Sequence, residues 1–143
     1  MELSFAKLHG LGNDFVFIDD RDRALKLTDA QVSYLCDRHF GIGADGVILV
    51  RPATSEEGDG YMHYINADGT LAQMCGNGVR CFAKYLVDRE LADVASGHLL
   101  ADTLAGPRPI AFSVDAGGKM TEATVNMGAP ILDPALVPVD AAP

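Results

Sequence analysis

Met74-Cys75-Gly76-Asn77-Gly78-Val79-Arg80-Cys81-Phe82-Ala83-Lys84-Tyr85-Leu86-Val87-Asp88 sets the architecture of this chain. The spacing predicts a helix opened by Gly76-Asn77-Gly78 and running to about Leu91. Its polar residues Arg80, Lys84 and Asp88 stand four apart, which makes one narrow stripe. Val79, Cys81, Phe82, Ala83, Tyr85, Leu86 and Val87 take most of the remaining circumference. A helix apolar nearly all round is buried. In a chain of only 143 residues with several strands, the natural cover is a sheet wrapped around it.

The flanking sequence supplies that sheet. Asp14-Phe15-Val16-Phe17-Ile18-Asp19 and Val47-Ile48-Leu49-Val50 are short apolar runs that read as buried strands. Tyr61 to Ile65 is a third strand, ended by the turn Asn66-Ala67-Asp68-Gly69. Ser55 to Gly60 reads as an acidic loop. Beyond the helix, His98 to Leu104, Pro109 to Asp115 and Lys119 to Met127 read as successive strands, the last pair joined around Gly117-Gly118. In the last of these, Thr121, Ala123, Val125 and Met127 alternate with Glu122, Thr124 and Asn126, as a strand with one wet face requires. A second, shorter helix starts at Thr28, where Gln31 completes a capping-box pattern. Val32, Leu35, Cys36 and His39 follow at helical spacing, with Gly41 placed to end it. Cys36 is then a core thiol and His39 a packed or capping histidine. From Pro130 onward the composition changes: four of the seven prolines fall in the last fourteen residues. The expected organisation is one domain over residues 1–128, then a Pro/Ala-rich linker over 129–143 leading towards a second domain.

Charge and composition exclude several classes of function. A formal charge of −9 and a pI near 4.6 disfavour nucleic acid and anionic membrane surfaces, which need clustered Lys and Arg. No apolar run approaches the roughly 20 residues of a spanning helix. The start, Met1 to Lys7, has no secretory pattern, and three cysteines make no disulfide framework. The expected setting is the cytoplasm, with reduced thiols. Gly41-Ile42-Gly43-Ala44-Asp45-Gly46 matches a dinucleotide fingerprint, but a helix precedes it and a strand follows, the reverse of the required context. It is read as a glycine-rich turn. His9, His39, His63 and His98 are scattered, and Cys75 and Cys81 are too widely spaced for a usual zinc pair, so no metal is expected.

Cys75 is the candidate for chemistry. It stands where glycines hand over to a helix, so its thiol faces unpaired amide N–H groups and the positive end of the helix dipole, which favour thiolate. The same N–H groups can receive a carboxylate. A base beside an anion cradle is what removal of an amino acid's Cα proton needs. A capping cysteine with no chemistry is the alternative reading of the same residues. Cys81, well past the helix opening and among apolar neighbours, reads as structural. Asn13, amid glycines before a strand, and Asn66, at a turn, are either turn formers or amides that hold an amino acid's ammonium and carboxylate.

Taken together, HGLGNDF, RHFGIGADG, NADG, MCGNGVRC and VNMGAP, in this order, closely resemble the diaminopimelate epimerase family, from Phe5 to about Pro138. Proline racemase and hydroxyproline epimerase sequences usually carry His where Asn77 stands. The resemblance implies an α+β half-molecule in which a mixed, strongly curled β-sheet wraps a central buried helix. In the family two such halves face each other across the substrate cleft. It implies inversion of one stereocentre of LL-2,6-diaminopimelate to the meso form, without pyridoxal phosphate or metal, by two cysteines acting as base and acid. By position, Cys75 resembles the first of these cysteines. Gly76 and Asn77 resemble the backbone groups that meet the substrate carboxylate, and Asn13 and Asn66 resemble the substrate-binding asparagines. Some members carry Gln where Gly46 stands, so Gly46 is left out of the site. The second cysteine belongs to the family's second half, so this chain resembles the N-terminal half and is expected to be inactive alone. Its expected partners are an amino-acid substrate, the other half, and a second copy in a homodimer. A related racemase or isomerase on the same fold, or a non-catalytic amino-acid-binding domain, are the rival readings.

Overall fold

A computed structural model describes residues 2–137 of the chain. Nine elements follow one another: β1 (Ala6–Gly10), β2 (Asn13–Asp19), α1 (Asp29–Cys36), β3 (Gly46–Arg51), β4 (Gly60–Asn66), α2 (Gly76–Asp88), β5 (His98–Asp102), β6 (Arg108–Val114) and β7 (Met120–Val125). The strands form one sheet in sequence order. It is mixed, because β2 pairs in parallel with β3 and β4 with β5, while the other neighbours are antiparallel. A parallel pair needs a crossover. The first crossover carries α1 and the second carries α2.

The apolar runs in β2 and β3 are covered on both faces. Phe15, Phe17, Ile48 and Val50 face α2, whereas Val16, Ile18, Val47 and Leu49 face the core that includes Val32 and Cys36 of α1. The period of two in a strand sends alternate residues to opposite faces, so a continuous apolar run is the signature of a strand covered twice. α2 packs against β1, β2, β4, β5 and β7. The strands at both ends of the sheet thus touch one helix, which requires the sheet to curl around it. Val79, Phe82, Ala83, Leu86 and Val87 are buried in that curl. The polar stripe faces β7: Lys84 Nζ donates to the Met120 carbonyl at 2.8 Å, and the Met120 N–H donates to Asp88 Oδ1 at 2.8 Å.

One joint in the sheet is narrow. β4 and β5 are paired only through Gly60↔Ala101 and Tyr61↔Asp102. Buried Asp102 reinforces it, accepting the N–H of Thr54 and of Ser55, each at 2.8 Å, as well as both of their hydroxyls.

Several boundaries differ from the sequence reading. α2 ends at Asp88, not near Leu91, because Glu90 takes a left-handed conformation and the Leu91 N–H returns to the Leu86 carbonyl. α1 has the capping box of Thr28 and Gln31 but ends at Cys36. His39 therefore lies beyond the helix and is exposed, neither packed nor capping it. Gly41 is not the stop signal. A Cβ there would lie 1.8 Å from the Tyr34 carbonyl oxygen, so its glycine permits close backbone approach after the helix. In β7 a register shift opposite Ser113/Val114 breaks the alternation: Met120, Ala123 and Val125 join the core, while Thr121 is exposed. Part of the 129–143 segment, residues 138–143, lies outside the described residues. Its described part forms no helix or strand.

Candidate functional site

The site begins where α2 begins. Cys75 is the N-cap residue, with extended backbone (φ −142°, ψ 120°), and its Sγ accepts the Gly78 N–H at 3.4 Å. A serine or aspartate more often fills this role, satisfying an N–H that the helix leaves unpaired. Gly78 is closely packed: a Cβ there would meet Ile48 Cδ1 at 3.2 Å, the Cys75 Cβ at 3.4 Å and Phe15 Cζ at 3.5 Å. Of the three free cysteines, Cys75 alone is half-buried; Cys36 and Cys81 are buried. Burial pushes the Cys81 thiol up to about 11 and raises that of Cys36. Both are poor sources of thiolate.

The pairing of β1 with β2 brings Asn13 to the sulfur, 62 residues away in sequence. Cys75 Sγ lies 3.5 Å from Asn13 Oδ1, and Asn77 Nδ2 donates to the same oxygen at 3.3 Å. Gly10, Asn13's partner in the strand pair, lies against Asn77: a Cβ at Gly10 would stand 3.2 Å from the Asn77 Cβ. Cys75, Asn13 and Asn77 thus converge, and Gly76 lies between two of them. Met127, from the VNMGAP segment, is exposed and lies beside Gly76. Asn66 is at the same end of the sheet, since Phe15 pairs with Gly46 and Gly46 with Asn66. Its side chain is turned away to Thr70 Oγ1 at 3.1 Å, with no hydrogen bond to the Cys75 group.

Three neighbours were not singled out in the sequence. Asp45, from the glycine-rich turn, accepts the Asn13 Nδ2–H at 2.8 Å. Arg38 donates to both Asp45 and Asp14, and its bonds, with those of Lys7, hold the Asp14 carboxyl below the usual range. Tyr64 fills the space beside Gly46, where a Cβ would lie 2.5 Å from its ring; no side chain fits at Gly46. The Tyr64 phenol is pushed up to about 12, first by burial and then by the nearby Cys75 and Asp45. No local pattern singled them out: Asp45 stands just before β3, and Tyr64 lies within β4. Among the described residues no group of three or more His, Cys, Asp or Glu is arranged to hold a metal ion, and no helix is long and apolar enough to cross a membrane.

Comparison with known proteins gives this arrangement its context. The chain is 40% identical over 139 residues to the diaminopimelate epimerase of Leptospira biflexa serovar Patoc, covering 97% of this chain and 48% of that protein. It is 46% identical over 141 residues to the diaminopimelate epimerase of Burkholderia thailandensis, covering 98% and 46%. The chain therefore spans about half the length of these curated relatives. Among solved structures, a hydroxyproline epimerase from Agrobacterium vitis shares the fold, with a TM-score of 0.64 at 16% identity over 86% of this chain and 40% of that one. A family model described as diaminopimelate epimerase matches residues 5–132, which take in every strand, both helices and the Cys75 site. With its curled sheet, its cysteine-capped helix and that match over most of its length, the chain belongs to the diaminopimelate epimerase family.

Proposed function

We propose that this chain forms one face of the active site of an amino-acid epimerase acting on 2,6-diaminopimelate, with Cys75 as one of its two acid/base groups. The observation that carries the reading is the position of Cys75 Sγ, partly exposed, at the opening of α2 and against the Asn13 amide. As thiolate, the sulfur takes the proton from Cα: the C–H bond breaks, an S–H bond forms, and the electron pair stays on the substrate as a carbanion. A thiol on the opposite face then delivers its proton to that carbon, and the configuration inverts. The first N–H groups of α2, at Gly76 and Asn77, suit the substrate carboxylate, whose charge they stabilise as the carbanion develops. Asn13 and Asn66 supply neutral amides for the ammonium and carboxylate. Neither of the other two cysteines suits the opposite face, because both are buried in the cores.

The opposite face belongs, in this reading, to a second half of similar size, consistent with relatives about twice as long. Residues 1–128 form the domain and 129–143 the linker to that half, and a second copy of the assembled protein is a further partner. No pyridoxal phosphate or metal is assigned a role. The free thiols suit a reducing, cytoplasmic setting.

The test is incorporation of solvent deuterium at Cα of LL-2,6-diaminopimelate. The chain alone is expected to give no turnover, and the chain combined with the second half of a relative to give some. Cys75→Ala should lower that rate by about 10²- to 10⁴-fold, the usual worth of a general base. Two-way turnover by the chain alone, undiminished in Cys75→Ala, would remove the assignment.

A further inference from the structure

The Gly41–Gly46 turn, which resembles a nucleotide motif without its context, leads to a different task. Asp45 stands at one end of a chain of side-chain hydrogen bonds and Arg80 at the other. Arg80 donates to Asn77 Oδ1; Asn77 Nδ2 donates to Asn13 Oδ1 at 3.3 Å; Asn13 Nδ2 donates to Asp45 Oδ2 at 2.8 Å. A guanidinium only donates and a carboxylate only accepts. With such groups at its two ends, the relay has one direction, and neither amide can turn over without breaking bonds. The consequence falls on Cys75: the atom held against its sulfur, at 3.5 Å, is the acceptor oxygen of Asn13, not its NH₂.

We propose that Asp45 and Arg80 are positioning residues that lock the Asn13 carbonyl towards the reactive sulfur. This rests on the acid/base role proposed for Cys75. The lock gives the thiol form an acceptor for its S–H; when the sulfur is thiolate, that same lone pair is open to a substrate ammonium, the other being taken by Asn77 Nδ2. Asp45 is itself fixed by further bonds. Its Oδ1 accepts from Arg38 at 2.9 Å, its Oδ2 from the Asp14 N–H at 3.1 Å, and its own N–H donates to the Asp14 carbonyl at 2.9 Å. Its carbonyl accepts the Ala67 N–H at 3.2 Å, so the same residue also ties down the turn that follows Asn66. The turn thus joins both asparagine segments to one residue, the Asn13 side through its carboxylate and the Asn66 side through its backbone carbonyl.

The relay can be read without turnover, by nuclear magnetic resonance of the isotopically labelled chain. The Asn13 side-chain amide is identified by its loss in Asn13→Ala. One of its two protons is expected to be shifted downfield and slow to exchange. If both behave as a solvated amide in the parent chain, the relay is absent and the proposal fails, whatever the variants do. In Asp45→Ala, which removes the acceptor, the shifted proton should return to the solvated position. Alkylation of Cys75 at neutral pH should rise about threefold, on the scale of one hydrogen bond, as the fixed acceptor is released. Cys36 and Cys81 remaining unlabelled reports an intact fold. An unchanged or slower Cys75 rate in a folded Asp45 variant overturns the positioning role. A locked Asn13 amide together with turnover that survives Cys75→Ala would sink the acid/base reading and leave the relay standing.

Discussion

Cys75 and Cys81 sit six residues apart on one helix, and their surroundings give them opposite properties. Cys75 caps the helix and keeps part of its surface open; Cys81 is sealed among apolar side chains, which pushes its thiol up to about 11. At neutral pH a thiol with that value is ionised to roughly one part in ten thousand. Brief treatment of the native chain with iodoacetamide is therefore expected to label Cys75 alone, with Cys36 and Cys81 labelled only after denaturation. Peptide mass mapping checks it, and native labelling of Cys81 as fast as Cys75 would contradict the assigned environments. At this scale the sequence was legible where the cue was local. The glycines around Cys75 announced a helix opening, and the apolar neighbours of Cys81 announced burial. The parts played by Asp45 and Arg80 were not legible. Asp45 meets Asn13, 32 residues away, through the parallel pairing of β2 with β3, a long-range contact that a local pattern does not announce.

At the scale of elements, α1 is the helix whose existence depends most on its cap. It has eight residues, too few to be stable in isolation, and only Val32 and Cys36 are buried. Its capping box closes at both ends: the Gln31 N–H donates to Thr28 Oγ1 at 3.3 Å, and the Thr28 N–H donates to Gln31 Oε1 at 2.9 Å. Thr28→Ala is expected to cost about 1 kcal/mol, read as a lower urea midpoint with unchanged slope. A loss within error would mean that packing against β3 alone holds the helix. The box was readable because a capping box is a four-residue pattern. The phase of β7 was not, because Thr121 is passed over between Glu122, opposite Ser113, and Met120, opposite Val114, so the alternation is not continuous along the strand.

At the scale of the whole molecule, the sheet is two groups of strands, β1–β4 and β5–β7, joined by two residue pairs, by the two hydrogen bonds between Asp59 and Leu100, and by Asp102. Burial raises the Asp102 carboxyl, but the bonds from Ser55 and Thr54 outweigh it and leave the group below the ordinary value. A carboxyl depressed in the folded state contributes stability above its unfolded value of about 3.9 and loses it as pH falls through the lower folded value. Acidification below about pH 4 should therefore weaken this joint first, and hydrogen exchange should report opening of β5–β7 ahead of β2–β3. In Asp102→Asn the early opening should already be present at neutral pH. Uniform opening of all seven strands in the parent would show that the joint is no weaker than the rest. The curled sheet itself followed from one helix apolar nearly all round, so the architecture was readable from α2; the narrowness of the joint was not, because it depends on how far β5 extends beside β4.

That joint also marks a place to cut. Between α2 and β5 the backbone passes once from one group of strands to the other, through Asp93–Ser96, which are exposed. Opening the chain there would yield two fragments, each with its strands entire, that share one apolar core and cover each other's part of it when they meet. Their reassembly would make a two-piece sensor, with the seating of α2 as the signal it reports.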